Sequence, residues 1–486
     1  MLLTNKKLRS LSALIVSTFC TFACLILGQK AIAQANIIKS DSFYIKDVLI
    51  ECHQKTIDRI ILREMAYKKG DKIAKANIDS VLQKEANKIF NTRLFVVVDV
   101  YPIPIKGDTI NLLVSLVERW YLYPIPIFEL ADRNFNEWWQ QRNRDMSRVN
   151  YGLRLTQENV RGRNETLKLL IQLGFVERYG IEYKIPYINR DQTTGLIFKI
   201  DFAQNKNLAY RTDDNKLSFL RSEDILRERF WTSLGFSKRK AFYNTHHFIA
   251  GFDYQSINDS IYALNPDYLN NQRCSQRYFY LNYLFNHDSR DMATYPLNGS
   301  YLNFSVAQKG LSHFDDLHQF EIKFVGAKFF HLSKSNAAMP LFFATSVRGF
   351  ISFPSYRPYS ELQGFGYRGD FVRGYELYVV DGQHFGIWKN TLRWRLFSVR
   401  ANLRKFMRLE QFSTLPIAAY LKTYSDVGYI KNDFVAESNR RLTNTMLWGK
   451  GVGLDVLIYN SLLWRFEYSR NRQGEWGFFF GFEADF

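Results

Sequence analysis

The sequence predicts a mainly β chain: a 16-stranded antiparallel transmembrane β-barrel preceded by one small α/β unit of order β-α-α-β-β. Three observations predict it. The chain opens like an exported protein. No later stretch is continuously apolar over a helix span, so a spanning role requires strands, and strands span a membrane only as a closed barrel. From about residue 119 onward one pattern then repeats, about ten residues of alternating character followed by a turn.

The opening has a basic start at Lys6, Lys7 and Arg9 and an apolar run from Leu11 to Gly28. Ala31-Ile32-Ala33 follows as a small-x-small cleavage site, so residues 1–33 are expected to be a cleaved signal peptide. The run is long enough for an anchor helix, but the cleavage site favours removal. Thr21-Phe22-Ala23 before Cys24 is a poor lipoprotein box. Cys52 and Cys274 fall in different expected domains and make an unlikely disulfide. The net charge of +18 would suit nucleic acid, which export excludes, leaving anionic headgroups or a solvated lumen as its reason. Aromatics at 16% with a mean hydropathy of −0.26 suit a barrel whose strands are half polar.

Residues 41–118 carry the α/β unit. Phe43 to Glu51 reads as a strand. Thr56 to Ala66 places Ile57, Ile60, Ile61 and Met65 at helical spacing, and Gly70-Asp71 stops it. Asn77 to Phe90 is a second helix, with Ile78, Val81, Leu82 and Ile89 on one face. Leu94 to Tyr101 and Ile110 to Val117 are strands joined through Lys106-Gly107-Asp108.

Residues 119–486 hold sixteen expected strands, centred near 126, 154, 170, 182, 199, 231, 249, 282, 302, 325, 345, 392, 420, 452, 465 and 481. Alternation is clearest late in the chain. Trp388, Leu392, Trp394 and Leu396 oppose Lys389, Thr391, Arg393 and Arg395. Trp448, Val452, Leu454, Val456 and Ile458 oppose Gly449, Gly451, Gly453 and Asp455. Leu462, Trp464, Phe466 and Tyr468 oppose Leu463, Arg465 and Glu467. Leu208 to Leu220 could add a hairpin. An even count puts both barrel ends beside the α/β unit, with short turns such as 161–164 on that side and long loops such as 257–276 and 352–387 on the other. The chain ends on an aromatic residue, Phe486, as barrel-insertion signals do.

The α/β order, with Asn91-Thr92-Arg93-Leu94-Phe95 at its helix-to-strand junction, resembles a POTRA domain. Asp288-Ser289-Arg290-Asp291 followed by Pro296, Gly299 and Tyr301 resembles a turn of the BamA/TamA-type surface antigen superfamily. Gly364-Phe365-Gly366 leading to Val372-Arg373-Gly374-Tyr375 resembles that family's motif in its sixth long loop. Tyr424-Ser425-Asp426-Val427-Gly428 resembles its thirteenth-strand motif. Room for a single POTRA domain departs from the central assembly machine, which carries several. The resemblance implies an outer-membrane insertase or translocase that receives client polypeptides in the periplasm, with accessory subunits there or as lipoproteins, in contact with outer-membrane lipids. It implies no cofactor or covalent chemistry, and the sequence itself offers no metal-ligand spacing and no phosphate loop. The alternative is a passive channel or structural surface protein that keeps the fold alone.

Two expectations concern single residues. Asp426 shares the lumenal face with Tyr420, Lys422 and Tyr424, and the resemblance implies that the loop carrying Arg373 folds into that lumen. Arg373 and Asp426 are therefore expected to pair. Pro124 and Pro126 lie two apart in the first strand, so both remove donors from one edge. That edge should face the last strand, around Gly477 to Phe486, unless the prolines belong to a linker below the membrane. Other signals are weaker. Arg368-Gly369-Asp370 is an incidental adhesion tripeptide, and His313, Asp315, Asp316 and His318 are a solvated loop before a metal site. His287 and Ser289 could suggest a hydrolase but lack a third partner.

Overall fold

The computed structural model describes residues 42–481 apart from 52–54, 132–136, 139–141, 190, 192, 334–336, 368, 403–413 and 460–461. The expected signal peptide, Cys52, Arg368 and Phe486 lie outside the described residues.

The α/β unit runs β1 (Ser42–Glu51), α1 (Asp58–Glu64), β2 (Lys72–Ala74), α2 (Ile78–Phe90), β3 (Phe95–Lys106) and β4 (Thr109–Glu118). Its sheet order is β2-β1-β4-β3, with β1 parallel to β4 and the outer strands antiparallel. The two helices pack Ile60, Ile61, Leu82, Ala86 and Ile89 onto Ile45, Val100, Ile110, Leu112 and Val114. The first helix is shorter than its apolar spacing suggests. Ile57 is its non-helical cap residue, with ψ 132, and is 46% exposed; its amide, which no helical turn could take, donates to the Gly162 carbonyl at 3.1 Å. The β2 strand is an addition to the expected order. It is three residues long, too short for a period to register.

The barrel wall comprises β5 (Leu122–Leu130), β6 (Val149–Val160), β7 (Glu165–Gly174), β8 (Val176–Ile185), β9 (Thr194–Asn205), β12 (Arg227–Lys240), β13 (Asn244–Ile257), β14 (Ser275–Asp288), β15 (Gly299–Lys309), β16 (Gln319–His331), β17 (Leu341–Phe353), β20 (His384–Asn402), β21 (Thr414–Lys431), β22 (Met446–Ile458), β23 (Leu462–Asn471) and β24 (Trp476–Gly481). All sixteen form one antiparallel sheet in chain order. Outward residues such as Trp388, Leu421, Val452, Trp476 and Phe478 are exposed, whereas inward Lys389, Lys422, Asp455 and Glu467 are buried among lumenal side chains. The polar residues face in and the apolar ones out, the reverse of a soluble protein.

Leu208 to Leu220 is not wall. It forms a separate hairpin, β10 (Asn207–Asp213) and β11 (Lys216–Arg221), because β9 pairs directly with β12. The hairpin lies on the distal side, opposite the α/β unit, and its tip reaches another loop. The Asn215 amide donates to Asn439 Oδ1 at 2.8 Å, and Asn439 Nδ2 donates to the Thr212 carbonyl at 2.6 Å. Asn439 belongs to the β21–β22 loop, so the hairpin bridges distant parts of the wall.

On the proximal side the α/β unit is docked against barrel turns. Arg239 at the end of β12 donates to both oxygens of Glu64, at 2.9 and 3.0 Å. The Arg63 guanidinium lies 3.8 Å from the Tyr187 ring. Asn159 of β6 donates to the Thr56 hydroxyl at 2.8 Å, which in turn meets the Tyr121 hydroxyl at 2.9 Å. Alternate proximal and distal connections then place the 258–274 loop on the far side from Lys106. A membrane-impermeant maleimide added to intact cells should label Cys274, an exposed free thiol in that loop, and Cys274→Ser should abolish this. Lys106→Cys, tested in the Cys274→Ser background, should label only after the outer membrane is opened. The reverse pattern would invert the orientation.

Candidate functional site

The long connection between β17 and β20 does not stay outside the barrel. It carries a short pair, β18 (Gln363–Phe365) with β19 (Val380–Gly382), and turns inward at Val372-Arg373-Gly374-Tyr375. Arg373 is fully buried. Its Nε donates to Asp426 Oδ2 at 2.7 Å and its Nη2 to Asp426 Oδ1 at 2.6 Å, a bidentate pair. Nη2 also donates to the Thr391 hydroxyl at 3.0 Å, and the guanidinium sits 3.9 Å from the Tyr424 ring centre. The expected pairing of Arg373 with Asp426 is therefore present, and Tyr424 is the surface on which the arginine stacks.

The other motif residues make room for it. Val372 packs with Phe365, Phe385, Ile430 and Leu447. Gly374 has φ +94, a left-handed conformation that lets the chain reverse beside β23. A Cβ at Gly428 would press within 3.0 Å of Phe365, and one at Gly449 would overlap the Arg373 carbonyl. The Tyr375 hydroxyl donates to Gln473 at 2.7 Å, and Asn471 Nδ2 donates to the Gly374 carbonyl at 3.1 Å. The loop thus reaches the hairpin that begins the last strand.

A second set of residues extends the pair. Lys422 lies 2.7 Å from Asp455 and 2.8 Å from Glu467, all buried, and Glu467 is 3.6 Å from Arg373 Nη1. The Tyr295 hydroxyl donates to Asp455 Oδ2 at 2.8 Å. Tyr295 belongs to the proximal turn between β14 and β15, which folds into the lumen. Arg393 lies 4.4 Å over its ring and donates to the Pro296 carbonyl at 3.0 Å. The turn itself is held by Arg290 against Asp288 at 2.6 Å and by Asp291, whose Oδ1 accepts from the Leu297 amide at 3.0 Å. One charge network therefore joins an insertion from each end of the barrel. Alternation placed Lys422, Asp455 and Glu467 on inward faces. Nothing in the local pattern around Tyr295 showed that its turn enters the lumen.

The first strand forms the other part of the site. Pro124 and Pro126 lie within β5, in the wall and not in a linker. The β5–β6 ladder sets their direction. Glu158 N donates to the Tyr121 carbonyl and Ala131 N to the Arg148 carbonyl, each at 2.7 Å, so odd-numbered residues face β6. The even-numbered residues, both prolines included, point their backbones to the opposite edge. Among the described residues β5 pairs only with β6, and β24 only with β23. Two missing donors remove about 0.5–1.5 kcal/mol each from that edge in water.

The weaker signals resolve as structure. Asp370 of the tripeptide accepts from Lys323 at 2.6 Å and Arg348 at 3.0 Å inside the barrel. Asp315 accepts from the amides of Phe279, Leu311 and Ser312, and Asp316 pairs with Arg273. His287 bonds Asn244 and Ser289 bonds Ser300.

Removing one member of a buried pair leaves the other charge uncompensated, at a cost of about 3–5 kcal/mol. Arg373→Ala and Asp426→Ala should each release the loop, seen as new protease cleavage within 354–383. The double variant should be no worse than either single one, whereas additive effects would mean that the pair does not act as a unit. Tyr295→Phe removes one hydrogen bond to Asp455 and keeps the ring. It should lower the midpoint of barrel unfolding by less than Arg373→Ala does, with no cleavage of the loop.

Residues 159–384 match the Omp85 superfamily domain. No curated protein matches the chain. Among solved structures, CdiB from Escherichia coli aligns over 90% of this chain and 75% of its own, at 12% identity and a TM-score of 0.51. CdiB from Acinetobacter baumannii aligns over 90% and 73% at 12% identity and a TM-score of 0.48. BamA from Haemophilus ducreyi lacking POTRA domains 1-3 aligns over 90% and 83% at 14% identity and a TM-score of 0.48. Identities this low speak to the fold alone. The wall that holds the inward arginine loop thus carries, over residues 159–384, an Omp85 superfamily domain.

Proposed function

We propose that the protein is an outer-membrane insertase or translocase. Its α/β unit is a POTRA domain in the periplasm, and client polypeptides pass from it through or beside the barrel. The signal peptide over 1–33 brings the chain to that membrane. The observation that carries this reading is the donor-poor edge of β5. A strand edge whose carbonyls have no strand partner among the described residues, and which lacks two N–H groups, is a template that a client strand can approach and leave. The arginine loop supports it from the other side, because it braces β20–β23 and leaves β5 outside its contacts.

The test is a locked seam. Single cysteines are walked along Leu122–Leu130 and combined with cysteines along Trp476–Gly481, in a background without native thiols. The pairs that oxidise are then compared with their reduced forms in cells depleted of the wild-type protein. Crosslinked seams should reduce the surface levels of other outer-membrane or exported proteins, and reduction should restore them. A locked seam with normal surface proteins, or a depletion that alters only solute uptake, would reject the reading in favour of a passive channel.

A further inference from the structure

A chamber lies where the α/β unit meets the inner face of the first strands. One part has a volume of about 550 Å³ and is walled by the α2–β3 junction, by Tyr123 and Ile125 of β5, by Arg154 and Lys168, and by the inward turn at 292–294. A second part of about 610 Å³ shares Asn91, Arg93, Glu158, Lys168 and Ala293 with it and continues along β8 and β9. Each lies within the range of cavities that hold ligands, about 300–1,000 Å³. The charge is one-sided. The first part is lined by four cations and one carboxylate, and the second by seven cations and four carboxylates. Glu182 is already held by Lys168 at 2.9 Å and Lys199 at 2.6 Å, and Glu64 by Arg239. Arg93 and Lys184 make no side-chain hydrogen bond or ion pair among the described residues. Arg93 also has φ +64, a left-handed conformation rare outside glycine, at the point where it enters the chamber.

The cations form a stepped row. Arg154 of β6 is level with Leu170 of β7. Lys168 lies two residues further toward the α/β unit, and Lys184 of β8, level with Thr166, two further still. Strands are about 4.8 Å apart and two residues rise about 6.8 Å, so successive cations are offset by about 8 Å. Alternate side chains of an extended polypeptide recur at about 6.8 Å, a difference that flexible lysine and arginine stems span. We infer that this chamber binds acidic, extended polypeptide segments, with carboxylates at alternate positions meeting Arg154, Lys168 and Lys184 and Arg93 at its entrance. The inference rests on the client-handling reading above and names the client chemistry it favours. A single phosphate would be met by cations converging on one point rather than by a row. The opposite faces of these strands present exposed apolar side chains, Tyr151, Leu153, Ile171 and Ile181, which suit lipid chains. Tyr123 and Ile125 add an apolar strip along the row, which suits side chains between the acids.

The test uses the full-length protein in nanodiscs and three fluorescent 12-residue peptides that alternate Glu, Gln or Lys with Thr and Val. The Glu peptide should bind, weaken steeply as salt rises, and crosslink to a photoreactive residue placed at Thr156. The Gln and Lys peptides should bind at least about tenfold more weakly. Arg154→Gln with Lys184→Gln should remove that preference. Arg154→Glu with Lys184→Glu should shift it to the Lys peptide, which a misfolded variant would not do. Equal binding of the three peptides, an unchanged preference in both variants, or competition by short-chain phosphatidylglycerol but not by the Glu peptide would overturn the inference. The locked seam reports separately. If it blocks surface-protein assembly while the chamber shows no charge preference, the chamber inference fails and the function stands. If the seam has no effect while the Glu peptide still binds selectively, the function fails and the site remains.

Discussion

The arrangement of the lumen depends on one buried ion pair. Arg373 and Asp426 are both fully enclosed, and a charge enclosed without a partner is among the costliest errors a fold can contain. The pair is tolerated because it is bidentate and because the remaining donors and the ring face are met by Thr391 and Tyr424. Its consequence is geometric. A loop that leaves the barrel at β17 must return to its interior before rejoining β20, and its path lies against Gly449 of β22, where a Cβ would overlap the Arg373 carbonyl. Bulk at that position would displace the loop from its seat, and the arginine with it.

Stiffness is therefore distributed unevenly around the wall. From β20 to β23 the strands are tied across the interior by the loop, by Lys422 with its two carboxylates and by the inward turn through Tyr295 and Arg393. Among the described residues the first strand has no such brace. Its inner face carries Tyr123, Ile125 and Ile127, and its free edge lacks two donors. A barrel whose edges were equally satisfied would be the more stable object. The ties reach the hairpin that begins β24, on one flank of the seam, and leave out β5 on the other; the proposed lateral role rests on that asymmetry.

Much of this was legible in the sequence. The sixteen strand centres fall within about three residues of their expected positions, because an outward apolar face and an inward polar face impose a period of two that is hard to counterfeit over ten residues. The Arg373–Asp426 pair was legible because the strand phase put Asp426 inside and the motif put Arg373 in a returning loop. The proline edge needed only the parity of a strand. What was not legible has a common cause. The β10–β11 hairpin has strand-like alternation, and only its partners distinguish it from wall. Ile57 sits at helical spacing, but the Gly162 carbonyl, far along the chain, takes its amide. Tyr295 meets Asp455 across 160 residues of sequence, and no local pattern encodes such a contact.

On the proposed reading, the hairpin that crosses the distal side has a consequence for cargo. A polypeptide travelling along the barrel axis meets obstacles in series: the inward turn, then the arginine loop, then the strap between Asn215 and Asn439. Each must yield while the others still hold, so their resistances add. A polypeptide leaving sideways at β5 meets one obstacle, a seam at which β5 and β24 share no backbone pairing among the described residues. On the proposed reading, the axial route is therefore the slow one, and the strap helps to turn traffic toward the wall.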